Sequence, residues 1–382
     1  MPHLYFHVPF CRRRCSYCDF SIAVRKRIPA REYVEAVRAE AGSSRVSDRA
    51  WETIYFGGGT PSLLPPDAIA TLLNDALAGG LTPGGSPGVS DQGVEVTLEA
   101  NPEDVTPEAA TAWRRAGVNR ISLGAQSFDD RVLKWMHRPH VARRIGEAVT
   151  TLRGAGFDNV SLDLIFALPA DLERDWRRDL AEAIRLAPEH LSLYGLTVED
   201  RTPLARWISR GAATAPDDER YAEEYLLAHE LLGAAGYRFY EVSNAARDGR
   251  GGGHRSRHNS AYWSGRPYRG VGPAAHSFDG TARYWNLTAW EAYRRAVAAG
   301  RSPVEAQEVL TPEQRELERL YLALRTSEGL TLSASVRLCP PLSAWEGKGW
   351  VEVSGDRVRC TAEGWLRLDA LVRDLTHSAA IS

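Results

Sequence analysis

Long apolar runs are missing from this 382-residue chain: no stretch approaches the ~18 consecutive apolar residues that a membrane-crossing helix needs, so no membrane span is expected. The opening MPHLYFHVPFCRRRC has no apolar segment between a basic start and a small-residue cleavage site, which gives the expectation of a cytoplasmic protein. An excess of one charge sign is absent too. With Lys+Arg 47 against Asp+Glu 49, nothing in the bulk electrostatics draws the protein to nucleic acid or to an anionic bilayer. Cysteine is scarce, at five residues, too few and too unevenly placed for a disulfide framework. No repeat of solenoid period is visible. What remains is an ordinary globular composition, 43% hydrophobic and 25% charged, long enough for one large α/β unit and an appendage.

Short β-branched or aromatic runs alternate with longer segments of helical period. Strands are expected at 4–8, 53–56, 94–98, 119–123, 160–166 and 190–194, with helices at 30–41, 66–78, 107–116, 129–136, 142–154 and 172–186 between them. Repeated βα units imply parallel strands with right-handed crossovers, so the expected fold is α/β, a partial (β/α)6 barrel. It occupies 1–195; an α+β extension at 196–300 and a small winged-helix-like module at 301–382, with a hairpin turning at SGD, follow. The Gly-, Pro- and Ser-rich stretch 79–93 reads as an exposed insertion without assigned function.

Chemistry in such barrels collects after the C-terminal ends of the strands. Strand one runs into Cys11-x3-Cys15-x2-Cys18. Three thiolates on one loop suit an iron–sulfur cluster with one iron left open; a zinc site completed by His7 or His3 is the alternative. Strand two runs into Gly57-Gly58-Gly59-Thr60, where missing Cβ atoms let the backbone approach a ligand; a plain flexible turn is the bland reading. Asp163 sits within VSLDLIF, where an unpaired charge would be costly. Arg12, Arg13 and Arg14 offset cluster charge, dock an acidic electron donor, or form a solvated loop. Cys339 and Cys360 read as small buried hydrophobes.

Taken together, Tyr5-x-His7-x-Pro9-Phe10-Cys11-x3-Cys15-x-Tyr17-Cys18-Asp19-Phe20, then GGGTPS, EANP, RISLGAQSF, Arg138, DLI and His258-Asn259-x2-Tyr262-Trp263 resemble in order the blocks of radical S-adenosylmethionine proteins. The nearer resemblance is to the oxygen-independent coproporphyrinogen III oxidase and HemW family, closest to its heme chaperones. It covers roughly residues 3 to 290. It implies a [4Fe-4S] cluster on Cys11, Cys15 and Cys18, and S-adenosylmethionine held near Tyr5, Tyr17, Gly58, Gly59, Thr60, Glu99, Gln126, Arg138 and Asp163. It also implies heme on His258 in HNSAYW, with His276 of GPAAHS ranked second and structural roles as the alternative for both.

Two functions follow from the resemblance: a heme chaperone that passes heme to an acceptor protein, membrane-associated or not, and an oxidase that decarboxylates coproporphyrinogen III, so whether the chain is an enzyme stays open. Oxidase members resemble one another in a fourth cysteine two positions after the third, where this chain has Phe20, and in a longer arm before the Tyr-x-His-x-Pro block. Both departures favour the chaperone. An electron donor is also implied.

Overall fold

The computed structural model describes residues 2–43, 51–78, 93–248, 253–332 and 340–379. Most of the insertion 79–93, and Cys339, lie outside the described residues. Six parallel strands, β1 (His3–Val8), β2 (Thr53–Gly58), β3 (Glu95–Ala100), β4 (Arg120–Gln126), β5 (Val160–Phe166) and β6 (His190–Gly195), lie side by side in chain order. Helices α1 (Ala30–Ser43), α2 (Pro66–Leu77), α3 (Pro107–Ala116), α4 (Asp130–Trp135), α5 (Ala142–Gly154) and α6 (Trp176–Arg185) connect them. The boundaries have local causes. Thr106 accepts a hydrogen bond from the Ala109 N–H at the start of α3, and Gly117 ends it with φ +104, a conformation that a side chain would strain.

The sheet is an open partial barrel, and wider than the six expected strands. After α7 (Pro203–Ser209) and α8 (Asp218–Ala234), strands β7 (Tyr237–Glu241) and β8 (Asn244–Arg247) extend it antiparallel beyond β6. After α9 (Arg257–Trp263), β9 (Arg269–Val271) pairs parallel with β1 at the other edge. The segment 196–300 is therefore woven into the main sheet. Strands β10 (His276–Phe278), β11 (Ala282–Asn286) and β12 (Val304–Val309) form a separate antiparallel sheet, with α10 (Trp290–Ala298) between the last two in sequence. Helix α11 (Pro312–Arg325) leads into the C-terminal module. There β13 (Leu330–Thr331), β14 (Val351–Ser354) and β15 (Arg357–Cys360) form a three-stranded sheet with helices at 340–347, 362–365 and 368–379. One apolar core runs from Leu4 to Leu375 through all three segments.

Strand alternation decides what the barrel contains. Leu4, Phe6, Ile54, Phe56, Leu98, Ile121, Leu162 and Leu191 belong to the apolar core, packed between sheet and helices. The residues of opposite parity are polar: His3, Tyr5 and His7 on β1, Tyr55 on β2, Glu95, Thr97 and Glu99 on β3, Arg120 and Ser122 on β4, Ser161 and Asp163 on β5, and His190, Ser192 and Tyr194 on β6. Register puts Thr97 beside Arg120, Glu99 beside Ser122 and Asp163 beside Ser192. The lumen is thus polar while the outer wall is apolar.

Candidate functional site

A cavity of about 410 Å³ opens at the C-terminal ends of β2 to β6. Cys11, Cys15, Tyr17, Cys18, Gly58, Gly59, Thr60, Glu99, Gln126, Arg138 and Asp163 all line it. The cysteine loop is tied down by its backbone: Ala23 N–H donates to Pro9 O at 2.7 Å and Arg25 N–H to Cys11 O at 2.9 Å. Cys11 Sγ lies 3.3 Å from Thr60 Oγ1. Burial pushes the Cys11 thiol up and the Cys18 thiol to about 11. Arg14 donates to the Cys18 carbonyl at 3.2 Å, and Arg12 pairs with Asp104 at 3.7 Å.

The glycines serve the loop as much as any ligand. A Cβ on Gly59 would fall 2.8 Å from Phe10 O, and one on Gly58, which has φ +113, would fall 2.8 Å from the His7 ring. Their bare backbones let β2 close against the cysteine loop. Gly124 gives similar room, since a Cβ there would sit 3.2 Å from an Arg138 nitrogen. Arg138 crosses that space, donating to Asn101 Oδ1 at 2.5 Å and Gly124 O at 3.0 Å, with another nitrogen 3.7 Å from Cys15 Sγ. Its Nε is buried without a hydrogen-bond partner.

Glu99 and Asp163 are the carboxylates of the cavity. Glu99 accepts from Tyr55 O–H at 2.8 Å and from Gly58 N–H at 3.1 Å; burial raises its pKa to about 7. Asp163 accepts from Ser122 O–H at 3.0 Å, and burial raises it as well. Gln126 reaches the rim with φ +68. Together these groups offer carboxylate acceptors for hydroxyl or ammonium groups and a guanidinium beside a thiol.

The donor set fits a polynuclear cluster better than a single ion. Among the described residues no three His, Cys, Asp or Glu side chains converge on one ion position, whereas a four-iron cube spreads its thiolate ligands more widely. The histidines of the zinc alternative are placed otherwise: both ring nitrogens of His7 are engaged, by Tyr5 O–H at 3.2 Å and Ser21 O at 3.1 Å, and His3 sits at the N-terminal end of β1 beside Thr53, at the other end of the strand from the cysteine loop.

Two expected site residues lie elsewhere. Tyr5 does not line the cavity; its ring stands behind Gly57, beside Tyr55, His7 and His258. His258 closes the opposite, N-terminal end of the lumen. It is 1% exposed, its Nδ1 bonds Thr53 Oγ1 at 2.7 Å, and its Nε2 bonds Tyr262 O–H at 2.7 Å. Both ring nitrogens are engaged, so in this conformation His258 presents no lone pair to heme iron; the physical reason is that α9 packs its first turn over the lumen, capped by Glu95 on the N–H groups of Arg257 and His258. His276 is exposed, its ring 5.7 Å from that of Trp285. Ser122, Tyr194 and Asp104 also line the cavity without having been singled out, although strand parity with Asp163 would have found the first two.

Residues 5–183 match the family model of the radical SAM superfamily, and residues 310–367 match that of the HemN C-terminal domain. The chain is 38% identical over 381 residues to a heme chaperone HemW of Mycobacterium tuberculosis, covering 97% of this chain and 94% of the relative. It is 34% identical over 400 residues to the mitochondrial radical S-adenosyl methionine domain-containing protein 1 of Bos taurus, covering 97% and 86%. Coproporphyrinogen III oxidase (HemN) from Escherichia coli has the same fold, with a TM-score of 0.78 at 21% identity over 98% of this chain and 89% of that one. No described helix is long and apolar enough to cross a membrane.

Proposed function

The chain belongs to the HemW family of the radical SAM superfamily, and on that premise we propose that it is a cytoplasmic heme chaperone, binding a [4Fe-4S] cluster, S-adenosylmethionine and heme and passing heme to an acceptor protein. The observation that carries the cofactor part is that three thiols of one loop share one cavity with Glu99, Gln126, Arg138 and Asp163. Cys11, Cys15 and Cys18 would hold the cluster, which when bound supplies an open iron for the methionyl group and an electron for the sulfonium. Thr60 steadies Cys11. Glu99 and Asp163 would accept from the ribose hydroxyls and the ammonium, and Arg138 would hold the polar groups near Cys15.

Phe20, 64% exposed at the cavity mouth, supports the chaperone over the oxidase, because it offers no fourth thiol. The HemW relatives, matched over nearly the whole chain, support it further. For the cargo, ligation by His258 requires Thr53 and Tyr262 to release the ring, whereas ligation by His276 requires no such opening.

The test is anaerobic reconstitution followed by three measurements on one preparation. About four irons and about one heme per chain are expected, with no decarboxylation of coproporphyrinogen III in the presence of S-adenosylmethionine and reductant. Full iron content in a triple Cys→Ala variant would overturn the cluster assignment, and repeated turnover of the porphyrinogen would return the oxidase reading to first place.

A further inference from the structure

Arg120 opens β4 with its side chain on the lumen side, 1% exposed, and no described residue gives that side chain a hydrogen bond or an ion pair; its Nε is fully buried. Its ladder neighbour Thr97 also keeps a buried hydroxyl without a partner. A bare guanidinium in a protein interior is costly. The compensation available is the field of the carboxylates one step up the lumen: Ser122, two residues on from Arg120 on the same strand face, is the ladder neighbour of Glu99 and donates to Asp163 at 3.0 Å, and the nearby guanidinium favours the ionised form of both.

We propose that Arg120 is a positioning residue of the cofactor cavity, a buried counter-charge that favours the ionised forms of Glu99 and Asp163 against the burial that opposes them and so fits the cavity to a cationic ligand. The inference rests on the reading that the cavity takes S-adenosylmethionine, whose sulfonium and ammonium supply that charge. Two carboxylates with no cation between them would repel each other, and one would take up a proton. Of the other titratable groups facing this lumen, Glu95 is engaged at the N-terminal end by the N–H groups of Arg257 and His258, and the tyrosines and histidines, His3 and His7 included, are neutral at pH 7. Burial pushes the phenols of Tyr5, Tyr55, Tyr194 and Tyr240 up and the imidazoles of His190 and His258 down. Arg138 stands apart at the cysteine loop, held by Asn101 and Gly124.

The test compares Arg120→Gln and Arg120→Lys with wild type in two measurements. The first is the dissociation constant of S-adenosylmethionine on reconstituted protein from pH 6 to 9. In Arg120→Gln the affinity midpoint should move up by about one pH unit, giving roughly fivefold weaker binding at pH 7 that recovers by pH 9; Arg120→Lys should follow wild type. A loss of affinity that is the same at every pH would be structural and would overturn the proposal. The second is a carboxyl 13C titration of Glu- and Asp-labelled protein without cofactor, with Glu99→Gln and Asp163→Asn for assignment. If wild type binds no S-adenosylmethionine, the cofactor reading fails, while an upward shift of either carboxyl in Arg120→Gln still supports the role of Arg120. Unchanged carboxyl titrations would overturn it. Should Arg120→Gln not fold, Arg120→Lys decides by the same titration: a wild-type profile supports the counter-charge, and a shifted one refutes it.

Discussion

His258→Ala should act first on stability, and the structure gives its size. The substitution leaves the Tyr262 hydroxyl buried without the partner it has at 2.7 Å, a loss of about 1–2 kcal/mol. It also opens a hole where the imidazole faces the Tyr55 ring at 4.9 Å, for about another 1–2 kcal/mol. Thr53 keeps His3 as a partner, so the sum at pH 7.5 is roughly 2–4 kcal/mol. The gap should also depend on pH. Burial, aided by His3 and Arg120, holds the His258 pKa well below 6.5. Below that value the unfolded chain binds a proton on this residue that the native state refuses, so wild type loses stability as pH falls from 6.5 toward the folded pKa, and the variant is spared that loss. Between pH 7.5 and 5.5 the advantage of wild type should shrink by about 1.4 kcal/mol. Urea unfolding of heme-free protein at the two pH values reads both quantities. A variant as stable as wild type that has lost heme binding would refute the reasoning, because the imidazole would then be a free ligand and not a buried strut.

The α/β class and six parallel strands were legible because each βα unit carries its own local signals, such as Pro107 inside α3 and Gly117 at its end. The cavity was legible for the same reason: its residues follow successive strands, and parallel topology brings strand ends together. Strands β8 and β9, with only four and three residues, were not, since their pairing is fixed by a sheet edge far away in sequence and not by local pattern. His258 shows the sharper limit. HNSAYW reads as a porphyrin-facing motif, yet three-dimensional placement turns His258 toward Thr53 and Tyr262, partners supplied by β2 and by its own helix. VSLDLIF reads as an apolar strand with one misplaced acid. In the fold Ser161 and Asp163 share the polar lumen while Leu162 and Leu164 face the outer core.

Two further outcomes follow from packing. Arg174 is buried between Glu224 at 2.5 Å and Asp179 at 3.5 Å; Arg174→Met leaves Asp179 without a cation and Glu224 with Arg220 alone, and should cost about 3 kcal/mol in denaturant unfolding, so an unchanged midpoint would remove this network from the fold's stability. Gly59→Ala should damage the cluster site while sparing the barrel. The added Cβ would meet Phe10 O at 2.8 Å and Pro9 O at 2.9 Å, and because both are backbone atoms no rotamer change can relieve the contact. The chain around Pro9 and Phe10 must shift, and Cys11 shifts with it, away from its 3.3 Å contact with Thr60. Overpacking of this kind costs about 1–3 kcal/mol, less than a domain of this size needs to unfold. Gly154→Ala, in α5, is the matched control, since a Cβ there meets nothing within 4 Å, and helix propensity should make it neutral or stabilising by up to about 1 kcal/mol. Iron content after anaerobic reconstitution, measured beside the far-ultraviolet circular dichroism, should fall in Gly59→Ala alone with its secondary structure intact. Full iron loading of Gly59→Ala would mean that the cysteine loop tolerates displacement from β2, and the role given to that glycine would be wrong.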